Sequence, residues 1–170
     1  MIGVAGAAIL GAMSWIFSLS VECGSREAAG AMKAHFDRLA LTTVAGDLAE
    51  LRISTHVDTD GSWWCWAAPA GFPSAGPSSQ EELVLATHFG HQFYGHLREA
   101  PDFRFALTGV EVDEFRLYSQ LDTDIDRLNF AGLVVSEAIW TAQGSSKKFE
   151  SFRPGYRWRP YEGEHEQAHR

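Results

Sequence analysis

The order of patterns along this chain predicts an α+β fold, an antiparallel sheet with two main helices packed on one face. Three observations lead there. Trp15, Phe17, Leu19 and Val21 alternate with Ile16, Ser18 and Ser20, the period-two signature of a half-buried strand. Two stretches, one after Ser25 and one after Ser79, carry apolar residues at helical spacing. Between them, Asp58-Thr59-Asp60-Gly61 is a turn signal followed by the strand formers Trp63, Trp64, Cys65 and Trp66, with Leu48, Leu51 and Ile53 ahead of it, which reads as a β-hairpin.

Each element follows from its own residues. Ser25 caps a first helix over about Arg26 to Leu39, with Ala28, Met32, Phe36 and Leu39 on one stripe. Pro69 to Ser79 holds three prolines and two glycines and is predicted to be loop. Ser79 with Glu82 forms a capping box for a second helix reaching Arg98, whose stripe is Leu83, Ala86, Phe93 and Leu97, with Val84 and Phe89 beside it. Pro101 ends that helix. Phe103 to Leu107 alternates as a strand, and Val110 to Tyr118 is expected to continue or pair with it. After an aspartate-rich segment come Leu133-Val134-Val135, then Ser136 as the cap of a short helix ending before Gly144, and a last strand through Tyr156 and Trp158. The organisation is an apolar extension over 1–13, a single domain over 14–161 and a flexible acidic tail over 162–170.

A chain of 170 residues, 45% hydrophobic and 12% aromatic, has the composition of one packed domain. Twenty-two acids against fourteen bases give a net charge of -8, which disfavours nucleic acid and anionic membrane surfaces and favours a basic protein partner. Cys23 and Cys65 are too few for a disulfide framework and lack metal or redox spacing, so both are expected to be reduced, buried thiols of a cytoplasmic protein. Residues 2 to 21 carry no charged side chain, which raises the alternative of a membrane-anchored or exported domain. No Lys or Arg precedes the run and it is mostly Gly, Ala and Ser, so a membrane role is not the expectation. Met13, just ahead of the first strand, is an alternative natural start.

None of the standard catalytic signatures is present. Asp122-Thr123-Asp124-Ile125-Asp126 opens like a calcium loop, but Arg127 stands where Gly is needed and Leu133 where a closing Glu is needed, so no metal is expected there. His88 and His91 lie three apart on the second helix, with His96 beyond. Together with His56 and the acids of 111–126 they define the alternative of a small enzyme or metal-binding domain with a His/carboxylate site. No cofactor is implied. Arg153 to Tyr161 interleaves arginines with aromatics as a single-strand nucleic-acid groove does, but in a strand Arg157 and Arg159 share one face and Tyr156 and Trp158 the other, which makes the aromatics core. The most unusual local feature is acidic: Glu111, Asp113, Glu114, Asp122, Asp124 and Asp126 against Arg116 and Arg127. That is six minus two, half of the net charge, and reads as a docking patch for a cationic protein.

The closing run Phe149 to Glu164, with Val110-Glu111-Val112-Asp113 and Trp63-Trp64-Cys65-Trp66, resembles small bacterial proteins of the kind that serve as immunity proteins in polymorphic toxin systems. The resemblance is one of general character from Ser14 to Glu164. It implies an acidic α+β cytoplasmic domain that binds and blocks a cognate toxin without chemistry of its own, and it assigns no functional residue. The expected function is therefore non-catalytic protein binding, through the acidic patch and through Trp63, Trp140 and Trp158 as aromatic anchors.

Overall fold

The computed structural model describes residues 16–73, 76–112, 117–121 and 130–165. Nine strands and four helices are arranged as β1 (Phe17–Gly24), α1 (Arg26–Phe36), β2 (Leu41–Thr42), β3 (Leu48–Ala49), β4 (Leu51–Val57), β5 (Trp63–Pro69), α2 (Gln80–Leu97), β6 (Phe105–Val110), α3 (Tyr118–Leu121), β7 (Val134–Ser136), α4 (Glu137–Ala142), β8 (Glu150–Arg153) and β9 (Tyr156–Trp158) among the described residues. Seven strands form one sheet in the order β4-β5-β1-β6-β7-β9-β8, every neighbouring pair antiparallel, and β2 and β3 form a separate ribbon. The α+β class follows directly.

The three serines expected to cap helices all do so. Ser25, Ser79 and Ser136 accept the backbone N–H of Ala28, Glu82 and Ile139 at 3.1, 3.2 and 3.3 Å, each leaving its helix from an extended backbone. Glu82 completes its box one residue upstream of the expected position, taking the N–H of Ser78 at 2.6 Å. α1 stops at Phe36, before the expected Leu39, and buries Ala29, Met32 and Phe36. α2 buries Leu83, Ala86, Phe89, Phe93, Tyr94 and Leu97. Both helices cover the sheet face that carries Phe17, Leu19, Val21, Cys65 and Ala67, as predicted.

The opposite face is closed too. Trp64, Phe105, Leu107, Val112, Leu121, Leu133, Val135, Ile139 and Phe149 form a second apolar cluster there. β1, expected to be half-buried, is thus buried on both faces, and its polar residues Ser18, Ser20 and Glu22 have no solvent exposure. The reason is position: with β5 on one side and β6 on the other, β1 is an inner strand of a sheet covered above and below.

A buried carboxylate needs a partner, and Glu22 has several. Arg104 donates to both its oxygens, Nε to Oε2 at 2.5 Å and Nη2 to Oε1 at 2.6 Å, while the N–H of Gly24 donates to Oε1 at 2.9 Å. Arg104 also donates to Ser62 Oγ at 2.9 Å and lies 3.7 Å from the ring centre of Tyr118, which covers it from α3. Gly24 is bound to be glycine for two reasons: its φ is +81°, and an added Cβ would stand 3.2 Å from Arg104 Nε. Beside this pair Asp58 organises the β4–β5 turn, accepting the N–H of Asp60 and Ser62 through Oδ1 and the Trp64 indole through Oδ2 at 2.7 Å.

Three expectations are corrected. The strand expected through Tyr118 ends at Val110, because Glu111 adopts a φ of 56° that breaks the extended run, and Tyr118 opens the α3 turn instead. Residues 113–116 of that prediction lie outside the described residues. β2–β3 was not expected. The closing run contains two strands instead of one, β8 and β9, folded about Pro154-Gly155 with Gly155 at φ +83°. As parity suggested, Tyr156 and Trp158 pack toward the helices and Arg157 lies on the other face.

Replacing Arg104 by Leu should lower stability in urea unfolding by about 3 kcal/mol, because it strands the Glu22 carboxylate in the interior. Removing both charges with Glu22→Gln in the same chain should restore more than half of that loss; a double variant no more stable than Arg104→Leu would show that the pair is not the origin.

Candidate functional site

The residues singled out in sequence are not gathered into one surface. Of the acidic run, Glu111 is exposed at the end of β6, and Asp113, Glu114, Asp122, Asp124 and Asp126 lie outside the described residues. Trp63 is half-buried on the helix face with Arg26 5.5 Å from its ring centre. Trp158 packs on that same face against Tyr94 and Phe152, four strands away from Trp63, or about 19 Å at ~4.8 Å per step. Trp140 belongs to the other face, where its indole donates to Ser146 O at 3.0 Å and Arg157 stacks 4.4 Å from its ring centre. The arginines of the closing run are likewise employed structurally: Arg153 caps the end of α2 through the carbonyls of Leu97 and Ala100, at 3.0 and 2.5 Å, and stacks on Tyr156.

The histidines are dispersed as well. His91 is exposed edge-on to Tyr161, the His88 Nε2 atom is buried without a hydrogen bond, and His56 stacks over Trp64. Among the described residues no three His, Cys, Asp or Glu side chains are grouped to hold a metal ion, and no helix is long and apolar enough to cross a membrane. Cys23 and Cys65 are both free and buried. Burial pushes the Cys65 thiol up to about 12 and Cys23 higher still, so neither forms a thiolate at neutral pH.

The surface feature that sequence reading missed is a hollow between the β2–β3 ribbon and α2. Gln92 of α2 holds the ribbon in place as a strand would: its Oε1 accepts Thr42 N–H and its Nε2 donates to Thr42 O, both at 2.8 Å. The ribbon turn is closed by Thr43 N–H to Asp47 O and Gly46 N–H to Thr43 O. Behind it lie two adjoining hollows of about 690 and 410 Å³ that share Thr43 and Leu85. Their walls are apolar, from Leu48, Phe72 and Phe89 in one to Val44 and Val84 in the other. Val44, Leu48 and Val84 are 64, 76 and 49% exposed, three of the few large apolar side chains in the open. The charged residues lining the hollows, among those described, are Glu50, Glu81 and Glu82. Glu82 is held ionised, its carboxylate kept below the usual range by the two Ser78 hydrogen bonds.

A second concavity is built by the end of the chain. Residues 159–164 cross α2, where the N–H of Glu164 donates to Thr87 Oγ1 at 2.9 Å. Tyr161 lies against Tyr94 with ring centres 5.0 Å apart, and its hydroxyl donates to Glu164 Oε1 at 2.8 Å. The crossing needs glycine in the helix: a Cβ on Gly90 would fall 2.4 Å from the Tyr161 hydroxyl. Burial, more than any charge, raises the Glu164 carboxyl above its ordinary range, with Tyr161 and His165 opposing.

Set beside protein-family models, curated proteins and solved structures, the chain matches none of them. Its function has to be read from its own surface.

Two outcomes follow. Because the folded Glu164 carboxyl holds its proton more tightly than the ordinary 4.5, its contribution to stability is full below about pH 4.5 and is lost as pH rises through the raised value. The stability of the wild type relative to Glu164→Gln, measured by urea unfolding, should therefore fall as pH rises above about 4.5; a constant difference would contradict this environment. Gly90→Ala should cost about 1–3 kcal/mol by displacing Tyr161, and a variant as stable as the parent would show that the crossing yields freely.

Proposed function

We propose that this chain is a non-catalytic protein-binding domain of the immunity type, which docks a basic partner on the hollow between the β2–β3 ribbon and α2. One observation carries the reading: Val44, Leu48 and Val84 are exposed at two adjoining apolar hollows whose charged lining, among the described residues, is entirely acidic. Contiguous exposed apolar surface marks an interaction site, and an acidic rim selects a partner whose apolar contact is framed by Lys or Arg. The net charge of -8 draws such a partner from a distance. In this proposal the acidic run from Glu111 to Asp126 adds long-range attraction, and the protein acts in the cytoplasm, where thiols stay reduced.

The physical task of such a protein is to hold a cationic surface covered. A toxin acting on phosphate-bearing substrates carries that kind of surface, and carboxylates compete for it directly. Affinity comes from apolar contacts that exclude water around the charges, while the charges set the rate of encounter.

The test is co-expression with toxins encoded beside this gene. Rescue of growth by the wild type, with a purified complex whose Kd rises about tenfold in Leu48→Ser/Val84→Ser, is the expected result, since each truncated contact is worth about 1 kcal/mol or less and 1.4 kcal/mol is tenfold. Both positions are exposed, so folding should be unchanged. Rescue with an unaltered Kd in the double variant would move the interface elsewhere; failure to rescue against every adjacent toxin would overturn the immunity reading.

A further inference from the structure

The main sheet ends in two edges that are built differently. β8 is four residues long, its register with β9 shifts between Ser151 and Arg153, and Lys147, Lys148 and Pro154 flank it. Short length, a bulge, lysines and proline are the devices by which edge strands avoid pairing with other chains. β4 has none of them. It runs for seven residues in unbroken register with β5, from Leu51↔Pro69 to Val57↔Trp63, and contains neither proline nor lysine.

The ladder fixes which backbone groups are open. Ala70 N–H donates to Glu50 O at one end of the β4–β5 pair, and Asp58 N–H to Ser62 O at the other. Hydrogen-bonded pairs alternate along an antiparallel ladder, so Arg52, Ser54 and His56 face β5 while Leu51, Ile53, Thr55 and Val57 turn their N–H and C=O groups outward. No strand among the described residues meets them. The open stretch is bounded at both ends, because Ala49 is already paired with Leu41 of β2 and the chain turns back toward β5 after Asp58. The side chains are as open as the backbone. Val57 is 50% exposed, and the exposed Arg52 lies 5.9 Å from the Trp66 ring centre with no carboxylate partner among the described residues.

We propose that β4 pairs antiparallel with β4 of a second copy of this chain, across a two-fold axis at Thr55. Charge and space select the register. An axis at Ser54 would set Glu50 against Asp58 of the second copy, two acids on one rung. An axis at Ile53 would require Val57 to pair with Ala49, whose place β2 already takes. An axis at Thr55 sets Ile53 against Val57 of the second copy, covering the exposed valine with an apolar neighbour on the same face. It also brings Arg52 to the Asp58–Asp60 turn of the second copy, where the exposed Asp60 carboxylate accepts only the Ser119 hydroxyl and has no cation of its own among the described residues. Glu50 lies beyond the last rung, since the second strand has turned away at Asp58. Every contact occurs twice, as a two-fold interface demands. Each chain carries a net charge of -8, but Leu51 to Val57 hold one arginine and no acid, and repulsion between distant charges is screened beyond about 8 Å at physiological salt. A strand of another protein would meet the same backbone; this chain by itself supplies both halves of the apolar and the charged pair. The dimer uses the sheet edge and not the hollow beside α2, so its fate does not depend on the protein-binding proposal.

Sedimentation equilibrium of the full chain at micromolar concentration should give a dimer. Val57→Lys should raise the dimer Kd about tenfold or more, and Thr55→Pro, which removes an outward N–H that nothing in the described chain uses, should leave a monomer. Cross-linking then reads the register. Directly opposed residues stand about 5.5 Å apart at Cα, within disulfide reach, so Thr55→Cys should form a covalent dimer in air, with Ser54→Cys and Ile53→Cys at least about tenfold slower. Cys23 and Cys65 do not compete, being buried and held protonated. The wild-type mass decides the matter even where a variant folds poorly. A monomeric wild type would overturn the proposal and leave the edge to a strand of another protein. A dimer indifferent to both Val57→Lys and Thr55→Pro would place the interface elsewhere, and fastest cross-linking through Ser54→Cys or Ile53→Cys would overturn the axis at Thr55.

Discussion

The carboxylate of Glu22, held at the centre of the sheet without any contact with solvent, is the constraint on which the rest of this structure depends. An unpaired charge in that position would cost several kcal/mol, more than a domain of this size can spare from a net stability of about 5–15 kcal/mol. The groups that neutralise it, and those that hold its arginine, come from everywhere in the chain. Arg104 enters from the start of β6, Ser62 from the β4–β5 turn, Gly24 from the bulge that ends β1, and Tyr118 from the α3 turn on the second face. Register follows from the same chemistry. A slip of one residue in β1 would carry Glu22 to the helix face, among Met32, Phe36 and Cys65, and bring Val21 to the arginine.

Closing the sheet on both faces has consequences for what remains outside. The long helices, the second apolar cluster and the stacked arginines absorb most of the aromatic residues, including the tryptophans that composition alone offers as interface anchors. What is left exposed is small and placed at margins. The β2–β3 ribbon stands apart from the main sheet, anchored by Leu41 in the core and by the Gln92 amide on α2, while Val44 and Leu48 remain exposed. The other margin is the fork beside β6, where β7 is too short to follow β6 to its end and the terminal segment crosses over with its tyrosine and carboxyl. Both concavities are lined by acids without a described cation.

The described residues present carboxylates beside apolar surface in two places. Away from both places, the thiols are buried and held protonated, and Glu22 with Arg104 forms a structural pair. Under the protein-binding proposal such a surface would take a cationic partner with an apolar body, in keeping with the net charge of -8.

The sequence by itself determined the local elements. Ser25, Ser79 and Ser136 mark helix starts because their hydroxyls satisfy N–H groups that a helix cannot satisfy internally, a need written within three residues. Asp58 to Gly61 marks a turn for the same local reason, and residue parity in the closing strand separated Tyr156 and Trp158 from Arg157. Tertiary structure alone decided what depends on distant partners. Nothing near Glu22 announces Arg104, eighty-two residues away, and nothing in Trp63, Trp140 or Trp158 tells that each is covered by an arginine or packed on a core. The ribbon was hidden because two-residue strands have no period to read, and the hollow beside it because exposed Val44, Leu48 and Val84 look like core residues in sequence. Hydrophobicity records how a residue partitions from water. Whether it is covered is settled by the whole chain.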